Sequence, residues 1–386
     1  MIDVAALRAT LAGRPARVFW APGRVNLIGE HTDYSDGFAL PMATHLGTAV
    51  AAAPSDDGRL RVTSRAFGET CEVDLGDLSP SRASHWIDYV IGIAIALRKR
   101  GVQIRGADLV LESELPIASG LSSSAALEVA VALALTSICG AEVDPLALAL
   151  AGREAENEAV GVPSGIMDQY ASVFGKGGHA LLLDCRAIEC VAIPLETKRV
   201  AIVVCDSRQE RRLVASGYAK RREECRRALD LLRGTLPELR ALRDVDMPTL
   251  AKLAHALPEP LFRRCRHVVS ENARTLAAAD ALRRGDFADF GRLLFESHAS
   301  LRDDFEVSTP ELDALVAEAT EIPGVLGARL TGAGFGGCTV NLVERQSLDA
   351  FMDRMRKPSS SRARGAREPI LYITEPGVGA HEVAVG

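Results

Sequence analysis

Short strand-like runs alternate with helical runs along the whole chain. The pattern predicts strands at 16–22 and 107–116, and a turn-rich loop at 23–37 follows the first of them. Apolar runs at 121–140 and 145–161 are long enough for helices and have glycine or proline at their ends. This alternation is typical of a mixed α and β fold.

The second half of the chain differs in composition from the first. Arginine-rich amphipathic helices dominate from about residue 210, and strand-like runs return after them. We therefore predict an N-terminal domain at 1–200 and a C-terminal domain at 201–386. A stretch rich in serine and arginine, 356–369, is predicted to be a solvated loop.

Composition narrows the class of protein. The 386 residues carry 45 basic and 51 acidic side chains, a net charge of −6, which argues against a nucleic-acid or membrane-surface protein. No run reaches the ~18–20 apolar residues of a bilayer span, and the first residues lack the apolar core of a signal peptide. The eight cysteines are scattered without a C-x-x-C pair, so neither a disulfide scaffold nor a zinc site is indicated. We expect free thiols in the cytoplasm.

A serine-rich loop at 117–126 (IASGLSSSAA) lies between a predicted strand and a predicted helix. Such a loop leaves backbone N–H groups free, and it directs the positive end of the helix at one point. Phosphate binding, with a hydroxyl near Mg²⁺, is one interpretation. A helix with a serine cap is the other.

A glycine cluster at 331–339 (TGAGFGGCT) contains the pattern G-x-G-x-x-G. A dinucleotide site requires a helix after that pattern, whereas the strand-like run CTVNLV follows here, so this interpretation is rejected. What remains is a tight strand–loop–strand that approaches a ligand or another loop, or a plain hairpin.

Polar side chains also gather in a segment of turn formers at 23–41. The segment can hold the hydroxyls of a polyol, or it can form an ordinary solvated turn. Its candidate residues are Arg24, Glu30, His31 and Asp33.

Asp168 lies among apolar residues in a glycine-flanked segment, 161–178. A carboxylate in such a setting usually has a cationic partner or altered acidity, which makes it a candidate functional group unless it only caps a helix. Upstream, Glu154, Glu156 and Glu158 share one predicted helix. Helix positions two apart point about 200° from each other, so we expect either Glu156 or the other two to face inward.

Two further polar features are interpreted as structural. The basic run 210–234 has helical spacing with interspersed glutamates, which predicts a solvated face. His298 is assigned a structural role. The chain contains no G-x-x-x-x-G-K-[ST], no H-R-D loop and no D-F-G, which excludes the P-loop and protein-kinase mechanisms.

Taken in order, three of these segments resemble the sequence motifs of the GHMP kinases. Residues 21–41 resemble the first motif, 115–130 the second, which is the phosphate loop, and 330–343 the third. The letters G-E-H-T-D-Y within the first motif are the form found in the branch that phosphorylates galactose. Segments 165–176 and 211–225 resemble the same branch, so the resemblance covers nearly the whole chain.

The resemblance implies a two-domain α+β fold, with an N-terminal domain of the ribosomal protein S5 domain 2-like type and a ferredoxin-like C-terminal domain. The active site would lie between the domains. The implied reaction is the ATP-dependent phosphorylation of D-galactose at its C1 hydroxyl, with Mg²⁺ and with no nucleic-acid or membrane partner. A cytoplasmic monomer is expected.

The resemblance also implies roles for residues by motif position. Asp168 would take the proton of the C1 hydroxyl or orient that hydroxyl, and Arg24 would lie beside Asp168 and the transferring phosphate. Ser124 and Glu156 would hold Mg²⁺. The sugar would contact Glu30, His31, Thr32, Asp33, Gly165 and Tyr218. The adenine of ATP would contact Trp86. The phosphates of ATP would contact the loop residues Ala118, Ser119, Gly120, Leu121, Ser122, Ser123 and Ser124.

Two departures from the family pattern leave the sugar preference open. Residues 205–213 lack the asparagine-containing sequence that the family often has, and Ser164 stands where cysteine is usual. A kinase for a related sugar such as arabinose, galacturonate or N-acetylgalactosamine is one alternative, and a non-enzymatic sugar sensor is another. The intact S-S-S-A at 122–125 together with Asp168 argues against a sensor, which needs no phosphate cradle.

Overall fold

Strands alternate with helices, as the sequence pattern predicts. The computed structural model describes residues 2–81, 85–116, 120–209, 214–357 and 367–384, with the backbone alone at 214–216. The strands are β1 Arg17–Asn26, β2 Phe38–Ala39, β3 Pro41–Ser55, β4 Arg59–Ser64, β5 Glu69–Asp74, β6 Gly106–Ser113, β7 His179–Asp184, β8 Glu189–Pro194, β9 Val200–Asp206, β10 Val325–Thr331, β11 Cys338–Glu344, β12 Ile370–Thr374 and β13 His381–Val383. The α-helices are α1 Val4–Ala9, α2 Ile87–Lys99, α3 Ser123–Ile138, α4 Pro145–Glu154, α5 Met167–Phe174, α6 Val214–Arg233, α7 Met247–Lys252, α8 Leu261–Arg283, α9 Phe287–Asp303, α10 Pro310–Thr320 and α11 Leu348–Arg356.

Within the described residues the strands form three sheets. The largest has the order β13–β1–β3–β6–β4–β5 and is antiparallel except for the β4/β6 pair. The other two have the orders β10–β11–β9–β12 and β2–β7–β8. Strand β9 begins at Val200 and belongs to the four-stranded sheet, but β13 returns to the edge of the six-stranded sheet beside β1. The division into domains at 1–200 and 201–386 stays a prediction.

Two apolar cores support the region where the sheets meet. Helices α2 and α3 share one core with the six-stranded sheet, around residues such as Phe19 and Leu109. A second core joins Val25 on β1 to Val340 on β11 and to Phe290 on α9. Loops that leave β1 and β10 near this second core therefore start from closely packed residues.

Helix ends follow the predicted chemistry at α3 and α4. Gly140 follows α3 with a φ of 66°, a left-handed conformation that glycine adopts at low cost. Pro145 is the first residue of α4, after Asp144, whose side chain accepts a hydrogen bond from the Leu146 N–H. Helix α3 thus begins and ends within two residues of the predicted run 121–140. Helix α4 begins at the predicted position but ends at Glu154, and a π-helical turn at 155–160 continues to the end of the predicted run.

The strand predicted at 16–22 is longer than the pattern indicates. Strand β1 continues to Asn26, because its pairing with β3 resumes at Arg24 after a shift of register between Pro22 and Arg24. A Cβ atom at Gly23 would lie 2.4 Å from the Leu121 carbonyl oxygen, so only glycine allows this close approach. The Arg24 N–H donates to that same carbonyl at 3.1 Å. Gly23, which the sequence places in a turn, therefore lies within β1 and allows the serine-rich loop to contact the strand.

The solvated face predicted for 210–234 is wrong at two positions of α6. Arg221 and Glu224 are buried and lie 3.0 Å apart, and Glu224 also pairs with the buried Arg264 at 2.8 Å. Paired charges can be buried because each compensates the other, which the spacing of charges along a helix does not reveal. His298 is buried with a backbone N–H donating to its ring, as its structural assignment requires.

The predicted loop at 356–369 falls largely on residues 358–366, which lie outside the described part of the chain. Among the helices that are described, none combines the length and the apolar character needed to cross a bilayer.

Candidate active site

One cavity of about 220 Å³ brings together side chains from all four segments that the sequence singled out. Its walls come from the loop after β1, the start of α3, the segment around α5, helix α6 and the loop between β10 and β11. The lining residues are Arg24, Glu30, His31, Asp33, Gly120, Ser122, Ser123, Ser124, Glu156, Val162, Ser164, Gly165, Met167, Asp168, Tyr218, Gly332 and Ala333.

Arg24 and Asp168 form a two-pronged ion pair at the floor of this cavity. Arg24 Nε donates to Asp168 Oδ1 at 2.8 Å, and Arg24 Nη2 donates to Oδ2 at 2.7 Å. The remaining guanidinium nitrogen, Nη1, donates to the Gly120 carbonyl at 2.6 Å. This planar geometry is the strong form of an arginine–carboxylate pair, and together with the bond to Gly120 it joins β1, α5 and the serine-rich loop. The partner expected for Asp168 is therefore present.

Ser122 does not act as the helix cap that its position suggests. It has a φ of 56° before α3, and its hydroxyl makes no capping bond to the helix. The hydroxyl instead donates to Asp168 Oδ2 at 2.5 Å. Ser122 therefore leaves the first N–H groups of α3 uncapped by its own side chain.

Glu156 faces inward and its two neighbours face outward, as one of the two predicted arrangements requires. The chain after α4 continues as a single π-helical turn at 155–160, a distortion that often accompanies functional sites. Glu154 and Glu158 both accept from Lys99 at 2.7 Å on the outer side. Glu156 is buried and lines the cavity.

Sequence reasoning missed two residues that lie behind Glu156. The Gln169 side-chain amide donates to Glu156 Oε2 at 3.0 Å and to Glu128 Oε2 at 2.8 Å. Burial raises the pKa of Glu128 well above its usual value, and the neighbouring Glu156 adds to the rise. The sequence does contain one signal for Glu128, because it lies one helical turn after Ser124 on α3.

The oxygen donors on this side of the cavity fit a hard divalent cation. Ser124 Oγ donates to Glu156 Oε1 at 3.2 Å, and Asp168 lines the same space. Burial, followed by repulsion from Asp168, raises the pKa of Glu156. A cation would relieve this repulsion, and oxygen-only donors are the ligands that Mg²⁺ prefers. The residues present therefore fit Mg²⁺.

Asp33, in the loop after β1, also lines the cavity. Burial raises its pKa to about 7, and the negative charge of Asp168 contributes to the rise. A Cβ atom on Gly165 would lie 1.8 Å from Asp33 Oδ2, so the carboxylate occupies space that only a glycine leaves open. Tyr218 borders the same space, and burial followed by the charge of Asp33 raises the pKa of its phenol.

Glu30 is fully enclosed and holds the glycine loop in place. Its Oε1 accepts from the Gly332 N–H at 2.5 Å, and its other oxygen accepts from the Asn26 amide. The buried Arg329 lies 3.5 Å away, and burial raises the Glu30 pKa while Arg329 opposes the rise. The carboxylate thus connects the first and third motif segments before any ligand binds.

Both ring nitrogens of His31 have protein partners. Nε2 lies 3.1 Å from the Ala333 carbonyl and therefore carries the hydrogen, while burial lowers the His31 pKa to about 3 and keeps the ring neutral. Nδ1 then accepts from the Tyr34 hydroxyl at 2.9 Å. The ring presents an edge to the cavity, and Tyr34, which the sequence did not single out, orients it.

The structure does not bring every predicted ligand to the cavity. Thr32 is buried outside the lining, and its hydroxyl lies 2.7 Å from the Phe38 carbonyl and 2.9 Å from that of Gly29. Its sugar contact stays a prediction that this geometry does not support. Leu121 is also buried behind the loop, where only its carbonyl is used. Ala118 and Ser119 lie outside the described residues.

Trp86 lies in a second, more apolar cavity of about 300 Å³ beside the first. Ser123 and Ser124 line both cavities, so the start of α3 forms the boundary between them. Phe67 stacks on the indole with ring centroids 6.0 Å apart, and Tyr89 forms another wall. A flat aromatic ligand such as adenine would find stacking partners here.

Comparison with known proteins identifies the class to which this fold and cavity belong. The models of the GHMP kinases N terminal domain and C terminal domain match residues 88–176 and 278–360. The galactokinase galactose-binding signature matches residues 8–54. The mevalonate kinase of Methanococcus jannaschii has the same fold, with a TM-score of 0.67 at 17% identity over 95% of this chain and 99% of that one. The expected α+β GHMP kinase fold is therefore confirmed.

More similar relatives narrow the class further. A galactokinase of Roseiflexus sp. is 50% identical over 87% of this chain and 86% of its own, and one of Chloroflexus aggregans is 47% identical over 94% and 93%. The crystal structure of Lactococcus lactis galactokinase complexed with galactose has a TM-score of 0.94 at 35% identity, covering 99% of this chain and 100% of that one. The chain belongs to the galactokinase family of the GHMP kinases.

The raised pKa of Asp33 predicts a pH-dependent stability for Asp33→Asn. In the unfolded chain an aspartate ionises near pH 3.9, whereas in the fold Asp33 does so at about 7. The free energy of unfolding of the wild type therefore falls as pH rises from about 4 to 7. The asparagine amide does not ionise, so the variant does not show this fall. We expect the difference in melting temperature, variant minus wild type, to increase over this range by on the order of 5 °C at pH 8.

The control is Asp57→Asn, because hydrogen bonds from Ser55 and Arg61 lower the Asp57 pKa to about 2. That variant should lose stability relative to the wild type as pH rises through about 2 to 4, the opposite sign. A difference for Asp33→Asn that is constant or shrinks with pH would contradict the assignment of Asp33.

Proposed function

We propose that this chain transfers the γ-phosphoryl group of ATP to the C1 hydroxyl of D-galactose, forming α-D-galactose 1-phosphate and ADP. Membership of the galactokinase family supports the reaction, and the Lactococcus lactis relative was crystallised with galactose. The single observation that carries the proposal for the site is the Arg24–Asp168 pair beside the serine loop. It combines a cation, a hydroxyl acceptor and a phosphate cradle in one cavity.

The proposed chemistry depends on positioning and on charge. Phosphoryl transfer has a loose transition state with charge spread over the transferring oxygens, so a protein contributes mainly alignment and electrostatic stabilisation. Asp168 accepts the hydrogen of the C1 hydroxyl and aims its oxygen at the phosphorus. Three of the roughly four lone-pair directions of Asp168 are already used by Arg24 and Ser122. Within the described part of the chain no further side chain donates to Asp168, so the remaining direction is assigned to the sugar.

Arg24 has two functions in this proposal. It holds Asp168 in one orientation, and its positive charge lies where the equatorial oxygens of the transferring group would pass. The N–H groups at the start of α3 and the hydroxyls of Ser123 and Ser124 would bind the other phosphate oxygens. Mg²⁺ bound to Ser124 and Glu156 would neutralise phosphate charge. The adenine would stack in the second cavity, beside Trp86.

Asp33 and Tyr218 are the proposed direct ligands of the sugar hydroxyls. Gly165 leaves them the room, while Glu30 and His31 support the wall through bonds that the protein already makes. A kinase for a related sugar remains the nearest alternative, because Ser164 lines the cavity where cysteine is usual. A sensor is disfavoured, because a protein that only senses sugar needs no hydroxyl acceptor beside a phosphate cradle.

We also propose that the enzyme works in the cytoplasm as a monomer. None of the eight cysteines forms a disulfide bond, which is typical of a reducing compartment.

A sugar panel tests the proposed substrate. Glucose and galactose differ only at the C4 hydroxyl, and a site that binds a hydroxyl with buried polar groups can reject the wrong isomer by up to ~10⁴-fold. We expect strong ADP release with galactose, some with 2-deoxygalactose and almost none with glucose. Equal use of arabinose or glucose would leave the family assignment intact and overturn the substrate.

Asp168→Asn tests the hydroxyl acceptor. The amide is nearly isosteric but loses the charge, so kcat should fall at least ~100-fold. Asp184 offers a matched control, since it forms the same two-pronged pair with Arg243 outside the cavity. Asp184→Asn should lower the melting temperature and leave kcat within a few-fold. Wild-type kcat in Asp168→Asn would remove the proposed role.

Glu156→Gln tests the metal ligand. A hard cation loses a charged oxygen ligand, so the Mg²⁺ concentration for half-maximal rate should rise by an order of magnitude or more. Glu158→Gln is the control, because Glu158 lies on the same π-helical turn but faces Lys99. Identical Mg²⁺ titrations for the two variants would argue against Glu156 as a ligand.

A further inference from the structure

Three side chains with different donor atoms meet outside the catalytic cavity. They are Glu69 and Cys71 on β5 and His85 just before α2, and their ligand atoms all lie within 4.8 Å of one another. None of them has a part in the proposed reaction. Their nearest neighbour of functional interest is Trp86, the residue that follows His85 along the chain.

The fold explains why these three side chains lie close together, although their spacing along the sequence does not predict it. Strand β5 is the edge strand of the six-stranded sheet, and residues two apart on a strand share one face, so Glu69 and Cys71 point the same way. Cys71 packs against the core that α2 shares with the sheet, which brings the start of α2 to this face. His85, which precedes α2, therefore lies beside Glu69 and Cys71.

The distances suit a tetrahedral metal ion. Two nitrogen or oxygen ligands, each 2.0–2.1 Å from such an ion, lie about 3.3 Å apart, and His85 Nε2 lies 3.4 Å from Glu69 Oε2. A zinc-bound sulfur lies about 3.6 Å from the other ligands, so the Cys71 thiol has at most about an ångström to move. The side chains of His85 and Glu69 are 40% and 43% exposed, which leaves an entry path and room for a water ligand.

A hydrogen bond positions the Glu69 carboxylate. The Trp86 indole N–H donates to Glu69 Oε2 at 2.7 Å, as an outer hydrogen bond orients a metal-binding carboxylate. A metal ion that binds the Cys71 sulfur would displace the thiol proton to solvent.

We propose that Glu69, Cys71 and His85 form a binding site for a divalent cation of the Zn²⁺ class, with water as the fourth ligand. A mixed sulfur, nitrogen and oxygen set selects borderline-soft metals over Mg²⁺, which takes oxygen ligands. The site is independent of the proposed catalytic metal site, which contains oxygen donors alone. Because the Trp86 indole N–H donates to Glu69, we expect the fluorescence of Trp86 to change when a metal ion binds at this site. Trp86 also lines the apolar cavity.

Cobalt(II) is the probe for the test, because a tetrahedral Co²⁺–thiolate bond gives a charge-transfer band in the near ultraviolet that Mg²⁺ does not give. The full-length chain is titrated with Co²⁺ in excess Mg²⁺, and Zn²⁺ is then added in competition. Tryptophan emission is followed in a Trp20→Phe background, which leaves Trp86 as the single tryptophan. We expect one equivalent of Co²⁺ to produce the band, and Zn²⁺ to abolish it, with a parallel change in Trp86 emission.

Variants decide which side chains bind the metal. Cys71→Ser should abolish the band, and His85→Asn should weaken Co²⁺ binding by more than about tenfold, since even outer-shell partners cost that much. Cys139→Ser is the control, because Cys139 is another half-buried thiol, at the end of α3. Circular dichroism and melting temperature check that each variant is folded.

Three outcomes would overturn the proposal. They are no thiolate band in the wild type, a band that survives Cys71→Ser in a folded variant, and equal losses in Cys71→Ser and Cys139→Ser. The first would mean that Glu69 and His85 form an ordinary surface ion pair.

Discussion

The two hydrogen bonds between Arg24 and Asp168 join parts of the chain that are 144 residues apart. Arg24 also holds the Gly120 carbonyl, and Asp168 also accepts from Ser122, so the pair ties β1, the start of α3 and α5 to one point. Removing one member of such a partly buried pair leaves the other charge uncompensated. The positions of the serine-rich loop and of the start of α3 relative to β1 therefore depend on this pair.

Around that pair the protein collects more negative than positive charge. Asp33, Glu128 and Glu156 all have raised pKa values, and burial is the largest cause in each case. A crowded set of carboxylates lowers the stability of the empty fold, and residues selected for function often carry such a cost. The proposed Mg²⁺ ion and the hydroxyls of the proposed sugar substrate would compensate this cost. The arrangement of charges thus agrees with the reaction of a galactokinase-family enzyme.

Motif position proved a good guide to segments and a weaker guide to side chains. The four segments predicted from the sequence do line one cavity. Thr32 and Leu121 nevertheless point into the interior, because successive residues of a tight loop point in different directions. Gln169 was passed over because an uncharged amide in a helix carries no sequence signal until its partners are known.

The sequence by itself determined the resemblance to the family, several of the strands and helices, and the four segments that line the cavity. The elements follow from local periodicity, and the family and the segments follow from motifs that can be read within about twenty residues. Only the tertiary structure decided that Ser122 bonds to Asp168 rather than to its helix, and that Cys71 lies beside His85. Such pairings depend on how distant elements pack, and the free energy of packing is not encoded in the residues of either partner alone.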